Sequence, residues 1–269
     1  MDKADHSFQW KMPIEFYGIV LDQFDQPVAG ADVSMTWTTV GGTRTNKIRS
    51  GGDGKFVLLN ANGKCLTVEV LKLGYARTKS GFLGFEYASF SDENFHVPDS
   101  ATPVVFRVQK LIKPEPLYKY NLCRDVSLDG PPLLLDPATG KTGKGDFAFS
   151  VTLGSGRGRY GSDYTVTIQA TGRAGFALSN EEFLFSAPES GYQSTVSYSE
   201  MVSNPNYRTS KKIRFYGKTS AGKYAAIEVE ISVFDQKREA EIVAIIYYNP
   251  SGSRNLELDD KMLLNRWAR

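Results

Sequence analysis

The sequence predicts an all-β protein of two domains with one short helix at its C-terminus. Polar and apolar residues alternate along several runs, glycine-containing turns separate those runs, and helical periodicity is confined to the end of the chain. The 269 residues include 25 Gly, 12 Pro, 14 Tyr and 16 Phe. This composition favours many short strands joined by turns.

The strand prediction rests on runs with the two-residue period of a strand that buries one face. These runs are 67–70, 104–108, 164–168 and 227–233. Residues 240–248 are almost continuously apolar, which predicts a central strand covered on both faces. The one helix is expected over 259–267, where Leu263 and Trp267 lie four residues apart after an acidic first turn.

The expected domain boundary is the segment Lys113-Pro114-Glu115-Pro116. Alternating prolines lack amide donors and favour an extended conformation, so a sheet is not expected to continue through them. The length suits two domains. We therefore expect an N-terminal tail at 1–13, a first domain at 14–112, a linker at 113–117 and a second domain at 118–269.

The first domain carries four short motifs in order: 18–22 (GIVLD), 27–33 (PVAGADV), 53–56 (DGKF) and 74–75 (GY). With them it resembles the carboxypeptidase regulatory-like domain over about residues 14–110. The resemblance implies a seven-stranded, transthyretin-like β-sandwich that accompanies other domains. The residues fit such a fold, with Val20 and Val33 buried on paired strands, a bend at Gly30, and Asp53-Gly54 as a hairpin turn before Phe56.

The second domain is expected to be a mostly antiparallel β domain. Its segments 182–193 and 247–257 look like parts of uncharacterised bacterial proteins that pair a regulatory-like domain with a C-terminal β domain. Such proteins usually begin with an export or membrane-anchor segment. The resemblance therefore implies an exported or anchored protein whose leader is missing from this chain. A cytoplasmic location is the alternative, because the chain has neither a signal peptide nor an apolar run of about 18 residues.

Composition excludes several classes of function. The 32 basic residues nearly balance the 30 acidic ones, which argues against nucleic acid as the partner. Two cysteines exclude a disulfide scaffold and a four-cysteine zinc site, and two histidines leave little for histidine-based catalysis. No cofactor and no metal are expected.

Two glycine motifs have ordinary interpretations. Residues 156–161 match G-x-G-x-x-G, but a strand follows instead of the helix that a dinucleotide site requires, so a hairpin loop is predicted. Its Arg157 and Arg159 remain candidates for contact with an anionic ligand. Gly140-Lys141-Thr142 resembles the end of a phosphate-binding loop, but Leu135 occupies the position of the required glycine.

Several side chains have both a functional and a structural interpretation. Cys65 and Cys123 could pair as a disulfide or remain buried free thiols, and His96 is expected to make a structural hydrogen bond. Three aspartates could supply oxygen ligands for calcium. Two of four further acids could form the catalytic carboxylate pair of a glycosidase. The aspartates are Asp22, Asp25 and Asp53, and the carboxylates are Glu181, Glu182, Asp163 and Glu189.

Aromatic residues are concentrated in the first domain and supply the remaining candidates for ligand binding. Trp37, Tyr75, Phe85 and Tyr87 either fill the core or expose ring faces that hold sugars or protein chains. The predicted function is a non-enzymatic binding or structural module of the bacterial cell envelope, whose partner is a protein or polysaccharide. The alternatives are carbohydrate binding through exposed aromatics and a carboxylate-dependent glycoside hydrolase.

Overall fold

The computed structural model describes residues 7–76, 81–88, 95–159, 161–181 and 184–265. The predicted all-β architecture is confirmed. The chain divides into two compact units, residues 1–111 and 112–269. Helices within the described ranges are short 3-10 turns, including Phe8–Lys11, Asp235–Lys237 and Asp260–Met262. None of the helices in these ranges has the length and apolar character needed to cross a bilayer.

The first unit is a sandwich of two sheets. One sheet has the order β4-β1-β8 and the other has the order β3-β2-β5-β7, while β6 and β9 form a separate two-stranded ribbon. β1 pairs with β4 antiparallel and with β8 parallel. The strands are β1 Pro13–Leu21, β2 Asp32–Thr39, β3 Gly42–Arg49, β4 Lys55–Asn62, β5 Cys65–Leu71, β6 Tyr75–Ala76, β7 Phe82–Glu86, β8 Val104–Arg107 and β9 Gln109–Lys110.

Alternating side chains of the two sheets fill the core of the first unit. Phe16 on β1 and Phe106 on β8 are fully buried, and their ring centres lie 6.1 Å apart. Gly18, between Phe16 and Val20 on the same strand, lies opposite Phe56, and a Cβ at Gly18 would overlap the Phe56 ring. A larger residue at position 18 would therefore displace an aromatic side chain of the core.

Two expected local pairings in the first unit are wrong. Val20 and Val33 are both buried, but β1 and β2 belong to different sheets, so these side chains meet across the core rather than on paired strands. The Asp53-Gly54 turn likewise joins β3 to β4 of the other sheet and is not a hairpin. In a sandwich, buried alternation identifies a strand but does not say which sheet the strand joins.

The second unit is also a sandwich, and all its strand pairings are antiparallel. Its sheets have the orders β10-β19-β18-β17-β15 and β12-β11-β13-β14-β16. The strands are β10 Tyr118–Ser127, β11 Leu133–Asp136, β12 Lys141–Thr142, β13 Phe147–Gly158, β14 Gly161–Ala170, β15 Gly175–Leu178, β16 Thr195–Glu200, β17 Ser210–Lys218, β18 Tyr224–Phe234 and β19 Glu239–Asn249.

The core of the second unit lies between its two sheets. β18 has the predicted alternation, since Ile227, Val229 and Ile231 are fully buried. β19 is a central strand, but it is not covered on both faces as expected, because Val243 is 39% exposed. A small apolar cluster that includes Tyr216 covers the outer face of this sheet without including Val243.

The expected C-terminal helix is replaced by the 3-10 turn Asp260–Met262. Asp259 caps this turn by accepting a hydrogen bond from the Lys261 amide, and Leu263 then adopts an extended conformation that ends it. The next residues bond to the start of β10: the Leu264 amide donates to the Leu117 carbonyl at 2.8 Å. These bonds to β10 take the place of further helical turns. Trp267 lies outside the described residues.

Residues 112–116, which contain most of the expected linker, are hydrogen-bonded into the second unit. The Glu257 carboxylate accepts the amides of Ile112 and Lys113 at 3.0 and 2.8 Å. Glu115 accepts a hydrogen bond from the Asn249 side chain. This stretch is therefore attached along the end of β19 and the loop that follows it.

Candidate functional site

The second unit has an open groove at one edge of its sandwich. β15 covers β17 along residues 215–218, and the Ser179 amide makes the last hydrogen bond between them, to the Arg214 carbonyl at 3.1 Å. β17 continues beyond this point, and β16 is the edge strand of the opposite sheet. A cavity of about 620 Å³ remains here, which we call the edge groove; it is lined by Leu178, Ser179, Asn180, Tyr198, Lys211, Lys212, Ile213 and Arg214.

Strand alternation places a charged pair at the inner side of the edge groove. Ile213 and Phe215 of β17 point into the core, so Lys211, two residues before Ile213, points inward as well. Its ammonium lies 3.2 Å from the Glu200 carboxylate of β16. The side chains of Lys211 and Glu200 are 33% and 15% exposed. The apolar interior therefore ends in an ion pair at this edge.

An aromatic ring lies against the same lysine. The Lys211 ammonium is 5.2 Å from the centre of the Tyr198 ring, within the range of a cation–π contact. Burial raises the pKa of the Tyr198 hydroxyl, which stays protonated near neutral pH. Among the described residues, no hydrogen-bond partner is found for this hydroxyl or for the Asn180 side-chain amide. Both groups can therefore bond to a ligand.

The outer side of the edge groove carries two more cations. Lys212 and Arg214 both pair with Glu228 of β18, at 3.0 and 2.8 Å. Arg214 also donates to the carbonyl oxygen of Glu181 at 3.5 Å. Among the described residues of the lining, the charged side chains are basic, and Glu200 and Glu228, which pair with them, are not part of it. The groove is thus suited to a ligand with negative charge.

The aromatic candidates of the first unit belong mainly to its core. The Phe85 ring centre lies 4.7 Å from that of Phe16, and Trp37 and Tyr75 pack partly buried against the same cluster. Tyr87 is 8% exposed, its hydroxyl donates to the Glu15 carbonyl, and burial raises its pKa. The geometry favours core packing for these four side chains, and their role in ligand binding stays a prediction.

Arg157 and Arg159 lie where β13 turns into β14. Gly158 pairs with Gly161, so the G-x-G-x-x-G segment forms the end of a β-hairpin. The Arg157 guanidinium donates to the carbonyls of Gly154 and Gly156 at 2.7 and 2.9 Å, which holds it against its own strand. Contact of either arginine with a ligand stays a prediction.

The candidate carboxylates of the second unit make structural contacts. Glu181 accepts a hydrogen bond from the Tyr216 hydroxyl, and Glu189 pairs with Arg254 at 2.8 Å. Asp163 accepts the Val202 amide at 2.8 Å. Glu182 lies outside the described residues. The three described acids, Glu181, Asp163 and Glu189, are not among the lining residues of the edge groove, so they do not face each other across it as a glycosidase pair would.

The three aspartates considered as calcium ligands stabilise turns of the first unit. Asp22 accepts the amides of Phe24 and Gln26 at 2.8 and 2.9 Å, and Asp53 accepts the Lys55 amide. Asp25 pairs with Arg107 at 2.6 Å. Within the described ranges, His, Cys, Asp and Glu side chains form no cluster that could hold a metal ion.

Both cysteines are free thiols. Cys65 is partly buried and its sulfur lies 3.3 Å from the Thr38 hydroxyl. Cys123 is exposed, contrary to the expectation of two buried thiols, because its neighbour Leu122 takes the inward position on β10.

His96 packs its ring among the aromatic side chains of the first unit. The ring centre lies 5.2 Å from that of Phe16 and 4.9 Å from that of Phe85. Its backbone amide donates to the Glu86 carbonyl, whereas its buried Nε2 has no partner among the described residues. The expected structural hydrogen bond thus comes from the backbone. Burial lowers the pKa of the imidazole.

The edge groove was not predicted from the sequence, although one signal was present. In 211–215 (KKIRF), Ile213 and Phe215 define the inward face, and the same spacing places Lys211 on that face. A charged residue in an inward position near the end of a strand indicates an open edge or a site. β16 shows the same pattern, since Val196 and Tyr198 pack against the core and the two-residue spacing places Glu200 on their face.

The sequence matches no protein-family model and no curated protein. Among solved structures, it is similar to a streptococcal ancillary pilin (12% identity, TM-score 0.27, 73% of this chain and 60% of that chain). It is also similar to the major pilin SpaD from Corynebacterium diphtheriae (10% identity, TM-score 0.28, 86% and 68%). A third is fervidolysin from Fervidobacterium pennivorans, a keratinolytic enzyme related to subtilisin (12%, TM-score 0.22, 92% and 32%). At these TM-scores the likenesses establish neither a shared fold nor a shared function.

Proposed function

We propose that this chain is a non-enzymatic binding module of the bacterial cell envelope and that its ligand occupies the edge groove. The observation that carries the proposal is the groove itself. Its volume of about 620 Å³ lies within the range of ligand sites in proteins. Its lining combines cations, an aromatic ring and hydrogen-bonding groups without a partner, and these give both affinity and orientation.

The first unit supports an accessory role. Its four motifs resemble the carboxypeptidase regulatory-like domain, and its two main sheets contain seven strands, the number that the resemblance implies. In that family the domain accompanies other domains. The proposed export to the envelope also rests on a resemblance, that of the second domain to uncharacterised bacterial proteins.

The chemistry of the groove favours binding over catalysis. General acid–base catalysis needs a side chain that exchanges protons near the working pH, usually His or a carboxylate with a raised pKa. The lining residues that the structure describes include neither His nor a carboxylate. The lining instead offers lysine and arginine side chains, which pair with Glu200 and Glu228 and suit electrostatic recognition.

The test is a binding experiment with the purified chain. Polysaccharide and protein fractions from bacterial envelopes are titrated by calorimetry against the wild type and against Tyr198→Ala, with Lys141→Ala on β12 as a control outside the groove. We expect at least one fraction to bind, with loss in the Tyr198 variant and no loss in the control. Binding that does not depend on Tyr198, or turnover of a glycoside, ester or peptide substrate, would contradict the proposal.

A further inference from the structure

We infer that the ligand of the edge groove is an acidic saccharide, a chain of sugars that carries carboxylate groups. The inference rests on the proposed function and specifies its ligand class. Three features of the groove support it: the sign of its charges, the chemistry of its neutral groups, and the ion pair that Lys211 already makes with a carboxylate of the protein.

The charges of the lining select an anion. Lys211, Lys212 and Arg214 lie within four residues of one strand and are the charged groups of the lining as far as the structure describes it. Because side chains alternate along β17, Lys211 is on its inner face and the other two are on its outer face. A carboxylate in the groove can therefore meet a cation on either face of the strand, and an arginine can bind it in bidentate fashion.

The neutral groups of the lining favour a sugar over a peptide. Asn180 offers a side-chain amide that can donate to and accept from sugar hydroxyls, and the Ser179 hydroxyl, which accepts the Glu181 amide at 3.1 Å, can donate its proton. Tyr198 adds an aromatic ring with a hydroxyl that has no partner among the described residues. Peptide grooves instead provide apolar pockets for side chains. Here Ile213 is buried, which leaves Leu178 as the exposed apolar side chain of the lining.

Glu200 acts as an internal competitor for the ligand. Its carboxylate is 3.2 Å from the Lys211 ammonium, so it competes with a ligand carboxylate for that charge. Removing this charge while keeping the side-chain size frees Lys211 for the ligand. The substitution Glu200→Gln should therefore strengthen binding of an acidic saccharide, whereas a residue with a purely structural role would weaken it or leave it unchanged.

The experiment uses the full chain and oligosaccharides of polygalacturonate, a uronic acid chain. Fully methyl-esterified oligosaccharides of the same length are the uncharged control, and poly-glutamate is the acidic peptide control. Calorimetry measures affinity for the wild type, Glu200→Gln, Lys211→Met, Arg214→Met and the control Lys141→Met, which lies on β12. Thermal unfolding checks that each variant is folded.

We expect polygalacturonate to bind more tightly than its ester and more tightly than poly-glutamate. Lys211→Met and Arg214→Met should each weaken binding about tenfold, the effect of losing one charge-assisted hydrogen bond. Glu200→Gln should strengthen it roughly threefold, and Lys141→Met should leave it unchanged. If Lys211→Met does not fold, the affinities of Arg214→Met and Glu200→Gln for polygalacturonate test the inference.

The other outcomes overturn the inference. Equal binding of the acid and its ester, lost in the Arg214 variant, would show that the groove binds neutral sugars. Tighter binding of poly-glutamate would indicate an acidic protein segment. If an envelope fraction binds through Tyr198 and polygalacturonate does not, the ligand class is wrong while the proposed function stands. If no fraction binds, the proposed function itself fails.

Discussion

The side-chain amide of Asn249 donates a hydrogen bond of 2.9 Å to the carboxylate of Glu115. Asn249 is fully buried at the end of β19, and Glu115 lies between two prolines before β10. The same amide nitrogen also donates to the Asn255 carbonyl, and the amide oxygen accepts the Ser251 amide at 2.8 Å. One side chain therefore connects the beginning of the second unit to its last strand and to the loop after it.

Removing this side chain should destabilise the second unit. Asn249→Ala deletes three hydrogen bonds and leaves buried polar groups unsatisfied, so the free energy of unfolding should fall by about 2–4 kcal/mol. Chemical denaturation monitored by circular dichroism measures the change. The matched control is Asn121→Ala on exposed strand surface, expected within about 0.5 kcal/mol of the wild type. Equal effects of the two substitutions would show that Asn249 has no such role.

The same contacts predict where the second unit begins. A fragment of residues 112–269 keeps the bonds of Glu257 to Ile112 and Lys113 and that of Asn249 to Glu115. A fragment of residues 118–269 loses them together with the buried Leu117. We expect both residues 1–111 and residues 112–269 to fold alone, and the shorter C-terminal fragment to melt at least 5 °C lower. Each lost hydrogen bond to a charged group contributes about 1.5–3 kcal/mol, and about 1 kcal/mol shifts the melting temperature of a unit of this size by roughly 2–4 °C. Identical melting temperatures of the two C-terminal fragments would contradict this assignment.

Two glycines of the first unit should differ in their tolerance of alanine. Gly30 and Gly54 both have positive φ, +64° and +75°. A Cβ at Gly30 would meet only the flexible end of Lys72, whereas at Gly54 it would lie 2.6 Å from the Val20 carbonyl oxygen. Gly30→Ala should therefore cost about 1–2 kcal/mol, from the left-handed backbone alone.

Gly54→Ala should cost more than Gly30→Ala, because the backbone strain is joined by a clash with rigid main chain. Thermal unfolding of the two variants beside the wild type gives the comparison. A smaller effect at Gly54 would mean that the turn between β3 and β4 can move away from Val20.

Acidification should destabilise the first unit through His96. Burial lowers the pKa of its imidazole from the ordinary value of 6.5, so the folded form stays neutral while the unfolded chain takes up a proton. Unfolding then binds protons, and the free energy of unfolding falls as the pH drops below about 6.5, until the folded pKa is reached. Well above pH 6.5 the imidazole is neutral in both the folded and the unfolded chain, so His96 adds no pH dependence there.

Denaturation between pH 5 and pH 7, a window above the ordinary titration of carboxylates, measures this dependence. His96→Phe should flatten the curve, since phenylalanine does not titrate. His6→Gln is the matched control, because the chain has two histidines, and it should keep the wild-type slope. If the pH dependence is lost in His6→Gln and kept in His96→Phe, the proton is taken up by His6 and the prediction is wrong.

The strands were the part of the fold that the sequence predicted well. In β18 the alternation of Ile227, Val229 and Ile231 is a local property that burial of one face imposes directly. Which sheet a strand joins is not local, and for this reason the pairing assumed for Val20 and Val33 was wrong. The helix expected through Leu263 did not account for the hydrogen bonds that the following residues make to β10.

The edge groove, unlike the strands, was not predicted from the sequence. Aromatic residues such as Phe85 and Tyr87 were candidates because rings hold ligands, but rings also have the most apolar area to bury. Lys211 was overlooked because a lysine in a strand is ordinarily assigned to the solvent face. Its pairing with Glu200 brings together strands of different sheets, which sequence spacing does not reveal.

The strand orders determine when each sandwich can be completed as the chain is synthesised. β1 pairs with β8, so the pair Gly18–Val104 can form only after Val104 has been synthesised. β10 pairs with β19, so the pair Tyr118–Tyr248 can form only after Tyr248 has been synthesised. Such distant partners slow folding, because a long loop must close before the contact is made. A growing chain can finish the first sandwich while the second still lacks β19 between β10 and β18. Until residue 249 leaves the ribosome, the facing edges of those two strands stay unpaired and can pair with another strand.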